Sequence, residues 1–132
     1  MMMMMKRKLV VLAATLLIMA ARPSDAFPST VYIENWMTTD RALSAHCRSR
    51  DSDIGEHSLP MGAHLEWSFE LDMFDRTLFW CDLAAAGEWL RFDAYKGKDS
   101  HKLGSFAHYV VKDDGVYLLD GENEQLKGQW NR

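Results

Sequence analysis

Cys47 and Cys81, the two cysteines of this 132-residue chain, have the most readily assigned chemistry. In an oxidising compartment such a pair is predicted to form one disulfide. In the chain-entropy treatment, closing a loop of this length stabilises the fold by roughly 4 kcal/mol. Two separate buried thiols are the alternative. A zinc site lacks partners at ligand spacing, because the sequence contains neither CxxC nor HxxxH.

Closely spaced carboxylates are the next candidates for chemistry, and they occur at Asp51 and Asp53, Asp72 and Asp75, and Asp113 and Asp114. Glycoside hydrolysis uses two carboxyl groups at a fixed separation across a cleft, which spacing along the chain cannot establish. All three pairs fall in predicted turns, where aspartate bonds its own backbone. We therefore interpret them as turn residues.

The run from Asp51 to Glu56, DSDIGE, resembles the start of a calcium loop. An EF-hand requires glycine at the sixth position and glutamate at the twelfth, whereas these positions hold Glu56 and Gly62. The EF-hand is thereby excluded and no metal is predicted, although a looser calcium site stays open as an alternative.

Histidine and tryptophan are the remaining candidates. The five histidines are scattered over the chain and no Ser lies in a GxSxG elbow, so we predict no enzyme and no cofactor. Trp67 and Trp80 lie in apolar strands and are predicted to be core residues. Trp36, Trp89 and Trp130 are left as candidates for stacking on a sugar.

The N-terminus predicts export. Residues 1–8 are basic, residues 9–20 are apolar, and Ser24-Asp25-Ala26 has the small-x-small form of a cleavage site. We therefore predict a cleaved signal peptide at 1–26 and one domain at 27–132. An uncleaved anchor is the alternative, but the apolar run is shorter than the roughly 20 residues a membrane span needs.

Cleavage would change the charge of the chain. It removes four of the 15 basic residues and one of the 19 acidic ones, which leaves 11 and 18 and a net charge of −7. Such a balance disfavours nucleic acid and anionic membranes as partners. We expect a secreted monomer without stable membrane insertion.

Alternation of apolar and polar residues predicts an all-β fold. The clearest strand is 64–71, with Leu65, Trp67, Phe69 and Leu71 on one face. Residues 77–81 are apolar on both faces, which predicts a central strand. Polar, glycine-bearing loops are predicted at 48–62 and 96–105, a loop or helical turn at 82–88, and a hairpin at Asp114-Gly115. We predict a single antiparallel β-sandwich of about seven strands with one disulfide. The predicted strands are 31–37, 42–47, 64–71, 77–81, 89–95, 106–112 and 116–120. A last strand towards Trp130 is left open.

The stretch from Cys47 to Cys81 resembles the plant self-incompatibility protein S1 family, also called S-protein homologues. The matching elements are Cys47, Arg48-Ser49-Arg50, Asp51-x-Asp53-Ile54-Gly55, Leu59, Gly62, Trp67-x-Phe69 and Thr77-Leu78-Phe79-Trp80-Cys81, followed by Phe92-Asp93-x-Tyr95 and Asp114-Gly115-Val116-Tyr117. The family often has a second cysteine pair, which this sequence lacks.

The resemblance implies a small secreted β-sandwich that acts as a non-enzymatic ligand for a cell-surface receptor, used in pollen–pistil recognition in the best-known members. Loops on a rigid sandwich carry recognition, so we predict contacts from two loops. The candidates are Arg48, Arg50, Asp51, Asp53, Glu56 and His57 in the first loop and Lys96, Lys98, Asp99, His101 and Lys102 in the second. The alternative is a secreted carbohydrate- or cell-wall-binding or defence module.

Overall fold

The computed structural model describes residues 28–38, 41–71, 74 and 76–131. The predicted signal peptide, the Asp72–Asp75 pair and the side chains of His101 and Lys102 lie outside this description. Among the described residues, no helix is long and apolar enough to cross a membrane.

In the part of the chain that the structure describes, nine strands make up almost all of the regular structure, which confirms the all-β class. They are β1 (Ser29–Asn35), β2 (Leu43–Arg48), β3 (Asp53–Leu59), β4 (His64–Phe69), β5 (Leu78–Ala85), β6 (Glu88–Lys96), β7 (Phe106–Lys112), β8 (Gly115–Asp120) and β9 (Asn123–Gln129). A 3₁₀ turn at Gly97–Asp99 and one turn of helix, α1 (Ser100–Leu103), connect β6 to β7.

The strands form two sheets, with the orders β4-β1-β7-β8-β9 and β3-β2-β5-β6. Alternate side chains of β1, β2 and β5 are buried, and they pack into one core between the sheets. The sandwich is confirmed. It is not wholly antiparallel, because β1 runs parallel to β7. The chain between these two strands forms β4 and all four strands of the other sheet.

Two regions that were predicted to be loops contain strands. The region 48–62 is not one long loop, because β3 occupies its centre. Residues 82–88 are not a loop or helical turn, since β5 runs on to Ala85 and meets β6 through a tight turn at Ala86 and Gly87. β9 is the last strand that the sequence left open, and it ends just before the buried Trp130.

The predicted disulfide is confirmed and joins neighbouring strands of one sheet. Cys47 on β2 is directly opposite Cys81 on β5, and both are fully buried. β5 lies between β2 and β6, as its two apolar faces predicted. The bond therefore fixes the centre of the four-stranded sheet.

The aromatic part of the core comes from both sheets. Trp67 and Phe69 of β4 lie against Phe79 of β5, with ring centroids 5.6 and 4.6 Å away. Leu71 was predicted to share this face, but β4 ends at Phe69 and the side chain of Leu71 is exposed.

The β7–β8 hairpin is confirmed, with a different pair of turn residues. Lys112 pairs with Gly115, so the turn consists of Asp113 and Asp114, and neither has a positive φ. Gly115 is needed for another reason: a Cβ at this position would lie 2.1 Å from the carbonyl oxygen of Gly128 on β9. The sequence signal therefore marks a close contact between strands as well as a turn.

Candidate recognition surface

Strand register brings the two predicted recognition segments to one end of the sandwich. Arg48, the last residue of β2, is opposite Trp80, and Lys96, the last residue of β6, is opposite Leu78. The chain therefore leaves β2 and β6 at the same end of the four-stranded sheet. We call residues 48–52 and 96–103 together the recognition end.

The turn at 49–52 presents two charged side chains to solvent. The Ser49 hydroxyl accepts hydrogen bonds from the backbone N–H groups of Asp51 (3.3 Å) and Ser52 (3.0 Å), and Ser49 N–H donates to Ser52 O (2.7 Å). The side chains of Arg50 and Asp51 are 92% and 87% exposed. A locally fixed backbone thus carries side chains available for contact.

Asp53 lies at a β-bulge, and its carboxylate makes contacts within the fold. Cys47 pairs with Gly55 but Arg48 pairs with Asp53, so a β-bulge starts β3. The Asp53 carboxylate accepts a hydrogen bond from Gly55 N–H (2.8 Å), and its Oδ1 is 2.7 Å from His46 Nε2. The Gly55 N–H and then the His46 contact lower the pKa of Asp53.

Glu56 and His57 lie on β3 rather than in a loop. Both are exposed on this edge strand; Glu56 accepts a hydrogen bond from the Ser44 hydroxyl (3.0 Å), and His57 Nε2 is 3.0 Å from Ile54 O. They extend the first candidate segment along the sheet edge, away from the recognition end.

The second segment is tied to the core by Tyr95, which is fully buried. Its hydroxyl donates to Gly104 O (2.8 Å), and Gly97 N–H donates to Thr77 O (2.7 Å). The predicted loop at 96–105 is therefore wrong in detail, because the end of β6, the 3₁₀ turn and α1 occupy it. Lys98 is exposed on this ordered segment.

Two open clefts lie at the recognition end. One, of about 660 Å³, is bounded by the 49–52 turn and by Arg76, Leu78 and Trp80. The other, of about 890 Å³, is bordered by Lys96, Asp99 and Phe106. Each candidate segment thus borders a concave surface, a shape that a protruding partner side chain can enter.

An ion-pair network on the outer face of the four-stranded sheet was missed by sequence reasoning. Asp82 accepts hydrogen bonds from Arg91 Nε (2.6 Å) and from Arg48 Nη2 (3.1 Å). The Arg91 hydrogen bond is the main cause that lowers the pKa of Asp82, and the same bond raises the pKa of Arg91. Arg48 also lies over the Trp80 ring, 5.9 Å from its centroid. The sequence showed only that each of these strands has a polar face. Alternation does not show which charged residues of neighbouring strands form ion pairs.

The third carboxylate pair, Asp113 and Asp114, accepts hydrogen bonds from other residues of the domain. Asp113 accepts hydrogen bonds from the hydroxyl and then the backbone N–H of Thr38, which lower its pKa, and Asp114 accepts one from the Tyr117 hydroxyl (2.7 Å). Their interpretation as turn residues agrees with these contacts. Among the residues described, no three His, Cys, Asp or Glu side chains are grouped as a metal would require.

The tryptophans left open by the sequence separate into two classes. Trp130 is buried and its indole N–H donates to Lys112 O (3.1 Å), so it is a core residue. Trp36 and Trp89 are 43% and 58% exposed, but the first follows β1 and the second lies on β6 of the other sheet.

Comparison with known proteins gives a consistent result. The family model described as plant self-incompatibility protein S1 matches residues 30–130. Self-incompatibility protein S1 of Papaver rhoeas is 32% identical over 113 residues, which cover 83% of this chain and 81% of that protein. S-protein homolog 2 of Arabidopsis thaliana is 36% identical over 119 residues, covering 83% and 74%.

A solved structure shares the fold. It belongs to an SPH (self-incompatibility protein homologue) protein, from a group described as small, highly stable, secreted proteins of plants. The TM-score is 0.66 with 22% sequence identity, and the alignment covers 80% of this chain and 96% of the solved one.

Proposed function

This chain belongs to the plant self-incompatibility protein S1 family, and on that premise we propose that it is a secreted, non-enzymatic ligand for a cell-surface receptor in cell–cell recognition. Residues 1–26 are its signal peptide and residues 27–132 its mature domain. The predicted leader supports export, and so does the buried Cys47–Cys81 disulfide, which an oxidising compartment maintains. The solved SPH protein comes from a group described as secreted.

The observation that carries the proposal is the recognition end. Two segments that are distant in the sequence leave the same end of one sheet; the first is fixed by hydrogen bonds within its own turn and the second by the hydrogen bond from the buried Tyr95. A surface fixed before binding loses less conformational entropy when a partner docks. The exposed charges of Arg50, Asp51 and Lys98 would then select the partner by electrostatic complementarity.

A binding measurement on plant membranes tests the proposal. The mature protein, fluorescently labelled, is titrated onto plasma-membrane vesicles, with one batch of vesicles pretreated with protease and another with glycosidases. We expect saturable binding that protease abolishes and glycosidases leave unchanged. Binding that survives protease and is lost after glycosidase treatment would overturn the receptor proposal in favour of a cell-wall or carbohydrate module.

A further inference from the structure

The outer face of the five-stranded sheet carries a half-exposed group of aromatic and acidic side chains that the recognition end does not include. Tyr32 on β1 is in register with Glu66 on β4 and with His108 on β7. Its ring stacks on His64 at 4.4 Å and lies edge-on to His108 at 4.8 Å. We name the group the Tyr32 cluster; it comprises Tyr32, Glu34, His64, Glu66, Phe106 and His108.

Three members of the cluster are exposed. The Phe106 residue is 52% exposed, and the side chains of His64 and Glu66 are 43% and 54% exposed. The Glu34 side chain is 24% exposed and its Oε1 lies 3.5 Å from His108 Nε2. Aromatic rings and carboxylates on one open surface attract cations, the rings through their quadrupole and the carboxylates through their charge.

The same sheet face already holds a cation in this way a short distance along. The Lys112 ammonium lies 5.1 Å from the centroid of the Tyr117 ring and 2.6 Å from Glu124 Oε2. In the described part of the chain, the rings that face an arginine or lysine are those of Trp80, Phe74 and Tyr117, and Tyr32 is not among them. The Tyr32 cluster has the ring and the carboxylates of the Lys112 site without its lysine.

We propose that the Tyr32 cluster binds a lysine or arginine side chain of a partner protein. The His64 ring covers one face of the Tyr32 ring, so the cation would lie at the solvent side of the cluster, with Glu34 and Glu66 as its counter-charges. Charge complementarity extends to the whole molecule, because the mature chain has 18 acidic and 11 basic residues after removal of the predicted leader. Desolvation is the main cause that raises the pKa of Tyr32, and the carboxylates of Glu34 and Glu66 add to it. This site does not depend on the receptor proposal.

The test is an NMR titration of the mature ¹⁵N-labelled protein with a synthetic hexapeptide containing three arginines, and separately with its counterpart containing three glutamates. We expect the arginine peptide to shift resonances of β1, β4 and β7, and to bind at least about fivefold more weakly to Tyr32→Leu and to the Glu34→Gln/Glu66→Gln double variant. Glu122→Gln, which removes an exposed charge elsewhere, should bind as the wild type does.

Two results would overturn the proposal. The first is equal binding of the two peptides; the second is unchanged affinity in both variants, whose folding the same spectra monitor. Shifts of the Tyr32 cluster with oligosaccharides but not with the arginine peptide would reassign the surface to carbohydrate.

Discussion

Cys47 and Cys81 face each other across neighbouring strands, and their disulfide closes the segment that contains β3, β4 and the 49–52 turn. This bond lies directly beneath the recognition end, since Arg48 follows Cys47 and Trp80 precedes Cys81. The covalent link therefore holds the base of the turn that we propose as a contact surface.

Replacing either cysteine by serine should lower the free energy of unfolding by roughly 4 kcal/mol, because the unfolded chain regains the entropy of a 34-residue loop. Urea titrations measure this quantity. The double variant should cost little more than either single one, since all three lack the same bond. Additive losses would mean that the two sulfurs stabilise the fold separately.

The sandwich and the disulfide could be predicted because their signals lie in short stretches of sequence. The alternation of apolar and polar residues indicates strands, and the predicted signal peptide indicates an oxidising compartment. β3 escaped prediction for a physical reason. It is an edge strand on which Leu59 alone is buried, so its sequence has almost no apolar alternation. Its polar residues are typical of edges that resist pairing with other chains.

Proximity in the folded chain explains what else was missed. Asp82 meets Arg48 and Arg91 only because the pairing of β2, β5 and β6 places these residues side by side. The common end of 48–52 and 96–103 likewise follows from register. Individual segments could thus be proposed from the sequence, whereas their arrangement required the sheet.

Asn35→Ala should destabilise the fold strongly. Asn35 is fully buried; its Nδ2 donates to Leu59 O (2.9 Å) and Arg41 O (3.1 Å), and its Oδ1 accepts from Met37 N–H (3.0 Å). Loss of these partners in the interior should cost about 2–3 kcal/mol in urea denaturation. Asn123→Ala, at an exposed position of β9, is the matched control. Equal losses in the two variants would contradict this role of Asn35.

Gly115→Ala should cost about 3 kcal/mol or more, because the added Cβ would lie 2.1 Å from Gly128 O and would force β8 away from β9. Gly121→Ala is the control: its φ is +61° but no atom lies within 4 Å of the added Cβ, so the cost should be about 1–2 kcal/mol. Thermal unfolding compares the two. A control that loses as much as Gly115→Ala would show that backbone conformation, and not strand contact, requires Gly115.

Asp82→Asn should reduce stability at pH 7 by about 0.5–1 kcal/mol, since the ion pairs are partly solvent-screened. The Arg91 contact holds the folded pKa of Asp82 below its unfolded value. Its stabilisation is therefore present above the unfolded pKa, about 3.9, and is lost as pH falls through the folded pKa. Unfolding curves from pH 7 to pH 2 should show the variant and wild type converging in acid. A difference that stays constant down to pH 2 would contradict this assignment.

The most direct test of the recognition end is the binding of an Arg50→Glu/Lys98→Glu variant to plasma-membrane vesicles. One charge is reversed on each of the two segments, so a partner complementary to both should bind about tenfold more weakly or worse. Met61→Ser, in the exposed β3–β4 turn at the opposite end of the sandwich, should bind like the wild type. If the double variant binds with unchanged affinity while Met61→Ser loses binding, the contact surface lies at the other end of the sandwich and not at the recognition end.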